Sequence, residues 1–493
     1  MSEHLGKKII AGSIWSILNR FALRSIGFIN TIILARLLTP DDFGLIALSM
    51  LTVGLVVLLF NTDMGQAVLR RKEVNNALLN TAWTLRVIAG ISLSVIIFLL
   101  APVSAAYFND SRILPVMQLI AFQPFIESLN NIGFVLYEKN LEFKKSFFRT
   151  LISKGLSVCV GVGIAIWLRN YWALAIGIIA QNVITTVMSF VMHPYRPRFQ
   201  LTAARELATD SYNNIAKNIA IFLKQKSDEF FIGTISGANG LGGYYMAKSV
   251  ANMLTAELIQ PAGSALLSGY TRIVHDPERF KSSVIKVVNA ISLIAFPCSL
   301  GLSAIACQFV PVVFGSKWEP IIPYFELFCF MGGLTALQSV TGPVLTAIGK
   351  LYVISFVAWL NLICFVTMLL SIAYTKDILL ITHSLFMLSA IMTVLNYIVL
   401  IGYAKIGFMR IVLALFKPAV ASIAMSYCLS LLNEKFLTQI SILNLVANVV
   451  AGFLIYATLI GLAWLIRRNP DSIEGVVFKK IFRINAGLPV KSL

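Results

Sequence analysis

Apolar runs of membrane-crossing length follow one another along almost the whole chain, separated by short polar connections. A hydrocarbon core about 30 Å thick takes about 20 residues of helix. The pattern predicts spans at Ala11–Leu37, Phe43–Phe60, Ala82–Ala105, Leu114–Leu136, Leu151–Leu168, Trp172–Met192 and Ser211–Ile235. It continues with Leu241–Leu267, Val284–Val310, Ile321–Ile348, Leu351–Tyr374, Ile378–Tyr403, Ile411–Leu432 and Ile442–Ile466. This is an all-α polytopic membrane protein with fourteen transmembrane helices and no room for a folded soluble domain. The seventh span is the least apolar, because it holds Lys217, Lys224, Lys226, Asp228 and Glu229.

Composition agrees. Of 493 residues 58% are hydrophobic and 13% charged, at a mean hydropathy of +0.83. A soluble chain carries about 25% charged residues to coat its surface. A soluble enzyme is therefore excluded, as are disorder and a disulfide scaffold. The six cysteines lie in apolar stretches without a CxxC pair, and four scattered histidines assemble no local metal site. The net charge of +18 would suggest nucleic acid in a soluble chain. Here cytoplasmic loops rich in Lys and Arg account for it, and no nucleic-acid partner is expected.

Loop charges fix the orientation. With the N-terminus inside, the inner loops and termini collect 25 Lys and Arg residues and the outer loops 6. Both termini are predicted in the cytoplasm. The first run resembles a signal peptide, but Arg20 and Arg24 interrupt it and no small-residue cleavage site follows, so it reads as a retained span. The outer loops are too short for chemistry. Of the inner ones, Arg70–Thr81 and Tyr137–Thr150 suit the membrane surface. The stretch Val476–Arg483 alternates apolar and basic residues, as either an interfacial anchor or a disordered basic tail.

A weak repeat runs through the chain. Leu38–Gly44 lines up with Ser236–Gly242 at an offset of 198, and Gly65–Leu69 with Gly263–Leu267 at the same offset. Six spans separate the copies, so both halves enter the membrane in one direction. That predicts two six-helix lobes in parallel repeat, residues 1–200 and 201–405. Two additional helices occupy 406–466 and a basic tail 467–493. Transporters of this kind bind substrate between lobes and alternate access by rocking one on the other.

Charges inside the spans supply the candidate chemistry. Placing one at the bilayer centre costs about 2.5–3.5 kcal/mol, and such residues often mark a transport path. Arg24 sits at the midpoint of the first span and Lys224 near mid-depth in the seventh. Ser13, Ser16, Arg20, Arg24, Gly27 and Thr31 form one polar stripe; Asn214, Lys217, Asn218, Lys224, Gln225 and Asp228 form another. Lys248 and Asn252 share a face on the eighth span. Arg86 and Lys154, one turn from the cytoplasm, are expected to snorkel to the interface. One reading pairs the charges off, with Asp228 four residues from Lys224. The other is a hydrated, net-positive cavity that accepts phosphate or pyrophosphate at mid-membrane, bound by Arg20, Arg24, Lys217, Lys224, Lys248, Asn214, Asn218 and Asn252.

The stretch from Leu34 through Thr39-Pro40-Asp41-Asp42-Phe43-Gly44-Leu45, then Asp63-Met64-Gly65 and Arg70-Arg71-Lys72-Glu73, resembles the polysaccharide-transporter family of oligosaccharide flippases. These belong to the multidrug/oligosaccharidyl-lipid/polysaccharide exporter superfamily. Phe309–Trp318 followed by Ile321-Ile322-Pro323 is especially similar to the colanic acid exporter branch. The resemblance implies a cationic central cavity in a bacterial inner membrane. It implies a cargo of undecaprenyl-pyrophosphate-linked repeat units for exopolysaccharide or O-antigen-type polysaccharide. Membrane lipids, an H+ or Na+ counter-ion and a polysaccharide polymerase complex are the other implied partners, although no coupling residue matches here. An Arg on the first helix fits related lipid II flippases in type, which leaves Arg20 and Arg24 both open. Pro40 and Gly44 are read as the sharp outer connection.

Other readings are weaker. A membrane glycosyltransferase using Asp41-Asp42 as its acid would need a larger outer loop. A multidrug extruder of cations would want unpaired carboxylates, whereas the excess here is basic. A lipid II flippase differs only in headgroup. There is no GxxxxGK[ST], so no nucleotide or cofactor is expected; transport needs no covalent chemistry, so no catalytic residue is expected either.

Overall fold

The computed structural model of the chain describes all residues except 1, 61–63, 72–73, 141, 203, 205–214, 256–261, 436–439 and 468–493. Along 2–14, 16–17, 59–60, 66, 70, 215–224, 262–265, 373, 435, 464 and 466–467 it describes the backbone alone. The described residues contain no strand. The helices are α1 (Ser2–Leu37), α2 (Pro40–Phe60), α3 (Met64–Arg70), α4 (Asn76–Tyr107), α5 (Ile113–Ile120), α6 (Phe122–Ser128), α7 (Phe134–Lys139), α8 (Phe143–Leu168), α9 (Trp172–Met192) and α10 (Ile215–Leu254). Then come α11 (Ala262–Ile273), α12 (Pro277–Ala304), α13 (Ala306–Phe314), α14 (Ile322–Gln338), α15 (Thr341–Ala347), α16 (Leu351–Ile372), α17 (Ile378–Ala404), α18 (Phe408–Lys435) and α19 (Ile442–Arg467). Ten helical stretches among the described residues are long and apolar enough to cross a bilayer. Asp63 and the segment Val476–Arg483 lie outside the described residues. The chain forms two compact units: Met1–Met246 with Val366–Ile378, and Ala247–Phe365 with Leu379–Leu493.

In the first unit, one expected continuous helix proves to be interrupted, and one expected connection is confined to a kink. The run Leu114–Leu136 is not one rod but α5, α6 and α7 in series. Neighbouring polar side chains supply the partners that a broken helix needs inside a membrane. Ser94 Oγ accepts the Phe125 N–H at 3.1 Å, and Ser189 Oγ accepts the Asn131 N–H at 2.9 Å. Asn131 Oδ1 then caps the Gly133 N–H at 2.9 Å. The break between the seventh and eighth spans falls at Gly237, whose φ of 65° and ψ of −161° are open to glycine alone. Residues sixteen apart on a straight helix stand about 24 Å apart. Yet Tyr244 Oη donates to Asp228 Oδ2 at 2.7 Å, so α10 folds back on itself as two antiparallel limbs. Elsewhere small residues permit close approach: a Cβ on Gly161 would lie only 3.8 Å from the Gly177 Cα, drawing α8 onto α9.

The second unit is organised by α12. Asp276 caps its first turn by accepting the Arg279 N–H at 3.2 Å, and Pro277 occupies the first helical position. Val284, Val288, Ile291 and Ala295 form a buried stripe against Tyr397, Leu400 and Ala414. Asn289 Nδ2 donates to the Ala414 carbonyl at 3.1 Å, tying α12 to α18.

Candidate functional site

The α1–α8 seam sets the level of the first-span cations. Trp15 packs on Phe147 with ring centroids 5.2 Å apart, and Thr150 Oγ1 donates to Asn19 Oδ1 at 3.2 Å. These pairs advance together, so the helices run parallel in register. Carried on at 1.5 Å per residue, the register brings Arg24 to about the level of Gly155, beside Lys154. Arg24 is half-buried and Arg20 exposed, on a helix whose Leu18, Phe21 and Ile29 are also exposed. Thr31 contributes no ligand group here: its hydroxyl donates to the Gly27 carbonyl at 2.9 Å.

Lys154 departs from expectation. It does not reach for the interface; its half-buried ammonium donates to Gln181 Oε1 at 2.9 Å. Gln181 is the tenth of the 21 residues of α9, so this cation is held near mid-span. Arg86 is half-buried, with Nη2 donating to the Glu127 carbonyl at 2.9 Å. Sequence reasoning missed Lys154 because it judged depth along one helix. The signal was Gln181, an isolated amide in the middle of another apolar helix.

The remaining candidates separate. Asn214 lies outside the described residues, and Lys217, Asn218 and Lys224 fall on the stretch of α10 described by backbone alone. Further along that limb, Lys226 pairs with Glu229 at 2.7 Å and Asp228 takes the fully buried Tyr244 hydroxyl. In the second unit, Lys248 and Asn252 are both half-buried, one turn apart.

At the opposite end of the first unit, the repeated turn motifs meet. A Cβ on Gly44 would overlap the Ala238 carbonyl oxygen, and one on Gly242 would overlap that of Pro40. Each would also come within 3.0 Å of the other glycine's nitrogen, at 2.9 and 2.8 Å. Both pairs are related by the 198-residue offset, so the contact is reciprocal. Gly44 therefore does not make the outer connection, as the sequence suggested. It lies inside α2, where only glycine lets two helix backbones touch. Beside this contact, Arg112 binds Asp41 at 2.5 Å and Asp110 at 2.7 Å, which holds the Asp110 carboxyl below its usual range. Asp42 accepts the Thr39 N–H at 2.8 Å. Both acids that an enzyme reading would recruit thus have structural partners.

This arrangement can be set beside known proteins. A family model described as polysaccharide biosynthesis protein matches residues 33–323. The chain is 26% identical over 351 residues to the lipopolysaccharide biosynthesis protein WzxC of Escherichia coli (strain K12), covering 70% of each. It is 22% identical over 458 residues to the succinoglycan biosynthesis transport protein ExoT of Rhizobium meliloti (strain 1021), covering 90% of this chain and 91% of that one. Among solved structures, the lipid II flippase MurJ in an inward closed conformation superposes with a TM-score of 0.70 over 93% of this chain and 100% of its own. At 11% identity that likeness speaks for the fold alone. With the family model spanning more than half of its length, the chain belongs to the polysaccharide biosynthesis protein family, as a multi-pass membrane transporter.

Proposed function

We propose that the chain is a flippase for anionic, lipid-linked oligosaccharide. It carries undecaprenyl-pyrophosphate-linked repeat units from the cytoplasmic to the outer leaflet of a bacterial inner membrane, for exopolysaccharide or O-antigen-type polysaccharide. It does so by alternating access of two six-helix lobes, within fourteen spans and with both termini cytoplasmic. The reading rests chiefly on Arg24 and Lys154, cations at one level of the α1–α8 seam, the second held at mid-span by a neutral amide. A charge so placed needs water or an anion nearby. A pyrophosphate meets that need, and a cationic drug would be repelled. The names of the relatives, in lipopolysaccharide and succinoglycan biosynthesis, support a polysaccharide precursor as cargo. The reciprocal glycine contact supports two repeat-related lobes.

The test is polymer export in cells that depend on this chain. Arg24→Ala and Lys224→Ala should each cut surface polysaccharide sharply at normal abundance, with lipid-linked intermediate accumulating in the inner leaflet. Normal polymer in the double variant would refute the cationic path.

A further inference from the structure

The second unit carries a cleft of about 460 Å³ that the transport path does not explain. One wall is α11, which presents Leu266, Gly269, Tyr270 and Ile273; the other is the start of α12, with Arg279, Ser282, Ser283 and Lys286. Both sets step by three, four and seven residues, so each is one face of its helix. Chemically the walls differ. The α11 wall is apolar but for Tyr270, which is 1% exposed and rests edge-on against Phe280 at 5.6 Å. Its buried hydroxyl has no hydrogen-bond partner among the described residues. The α12 wall offers two cations and two hydroxyls. The neighbouring Lys281 is paired with Glu278 at 3.0 Å, whereas Arg279 and Lys286 form no ion pair among the described residues. Gly269 keeps the cleft open, since a Cβ there would meet nothing within 4 Å.

An orphaned buried hydroxyl costs about 1–3 kcal/mol, a penalty that a bound acceptor removes. An Arg fork, a Lys point charge and three hydroxyls around an apolar wall fit one chemistry. We propose that this cleft binds the phosphate of an amphiphile, with Arg279, Lys286 and Tyr270 on its oxygens and Leu266 and Ile273 along its apolar part. The location agrees. At 28 residues α12 is about 42 Å long, some 12 Å more than a hydrocarbon core, so its first two turns reach the headgroup level. On the orientation proposed above, that is the cytoplasmic side, where the cargo is collected. The ligand is either the pyrophosphate of that cargo, which rests on the flippase reading, or an anionic phospholipid of the bilayer.

The experiment reads the site itself. In the purified full chain, the acetylation rate of Lys286 is followed by mass spectrometry, with Lys281 as internal control. The probes are farnesyl pyrophosphate, phosphatidylglycerol and, as a zwitterionic blank, phosphatidylcholine. Lys286 should be protected several-fold by at least one anionic probe and not by the blank, and Arg279→Gln or Tyr270→Phe should abolish the protection. Protection by farnesyl pyrophosphate alone assigns the cleft to the cargo; protection by phosphatidylglycerol assigns it to a bilayer lipid. Equal labelling of Lys286 with and without every probe overturns the proposal. Because Tyr270→Phe removes only one oxygen, it serves where a charge variant fails to fold. Protection in a chain whose Arg24→Ala variant exports normally would sink the flippase reading and leave the cleft standing.

Discussion

The two units keep polar groups in their interiors by different means. In the first, a half-buried cation leans on a neutral acceptor: the Lys154 ammonium donates to the Gln181 amide oxygen. In the second, a cluster is built from amides. Asn448 Nδ2 donates to Gln308 Oε1 and to Asn433 Oδ1, each at 2.6 Å, and Gln308 Nε2 donates to Asn433 Oδ1 at 3.2 Å. Asn448 is fully buried. Neutral amides that bond to one another can be sealed from water at little cost, whereas an ammonium with one neutral partner cannot. The cluster is thus a joint fastening α13, α18 and α19, whereas Lys154, on the flippase reading proposed above, marks a place that stays wet.

Breaking each region should therefore cost different things. Lys154→Met is expected to lower polymer export at least tenfold at normal abundance, while Lys154→Arg, which keeps the charge, retains part of it. Surface polysaccharide per folded chain is the measurement, and wild-type export from Lys154→Met would erase the contrast. The amide joint should answer in stability. Asn448→Ala takes the Nδ2 donor from Gln308 Oε1, at about 1–3 kcal/mol, while Asn433 Oδ1 keeps its bond from Gln308 Nε2. The thermal midpoint should fall while export per folded chain holds. Replacing all three amides together, Gln308→Met, Asn433→Leu and Asn448→Leu, should destabilise less than Asn448→Ala alone, because no orphan remains. A triple variant weaker than the single one would mean that the amides do more than satisfy one another.

How much of this was legible follows from the range of each cause. Hydropathy is local, so the α9, α16, α17 and α19 segments stood out within a few residues of their ends, while the polar first turns of α8 hid its start at Phe143. Gly237 was also readable as a boundary, since a glycine-rich turn interrupts an apolar run. The division of Leu114–Leu136 was not, because the groups that permit it, Ser94 and Ser189, lie on α4 and α9. Gly44 was misread for the same reason: the carbonyl that demands a glycine belongs to Ala238, almost two hundred positions away. At the site, Arg20 and Arg24 could be picked out as mid-span charges, but the role of Lys154 depended on α9. The stripe of Arg279, Ser282, Ser283 and Lys286 was present in the sequence and counted only as inner-loop charge. Its opposing wall on α11 appears once the two helices are packed.

Acidification should sharpen the contrast at the smallest scale. The amide cluster contains no titratable group, so its contribution is level across neutral pH. The first unit ends α9 on His193, a buried imidazole edge-on to Tyr137 at 4.7 Å, whose Nδ1 accepts the Tyr195 N–H at 3.1 Å. Burial lowers its pKa, and the charges of Lys145 and Arg196 lower it further. The folded value thus lies below the unfolded value of about 6.5. Between the two, the unfolded chain binds more protons, and stability declines as pH falls. His193 therefore supports the fold fully above about pH 6.5 and loses that support through its lowered folded pKa. A wild-type chain should show a modestly lower thermal midpoint at pH 5 than at pH 7.5. His193→Asn, which retains an acceptor for Tyr195, should flatten that slope and leave the loss in Asn448→Ala unchanged at either pH. An unaltered slope in His193→Asn would place the acid sensitivity elsewhere, with the Asp110 carboxylate held by Arg112 as the next group to test, its support being lost only at more acidic pH.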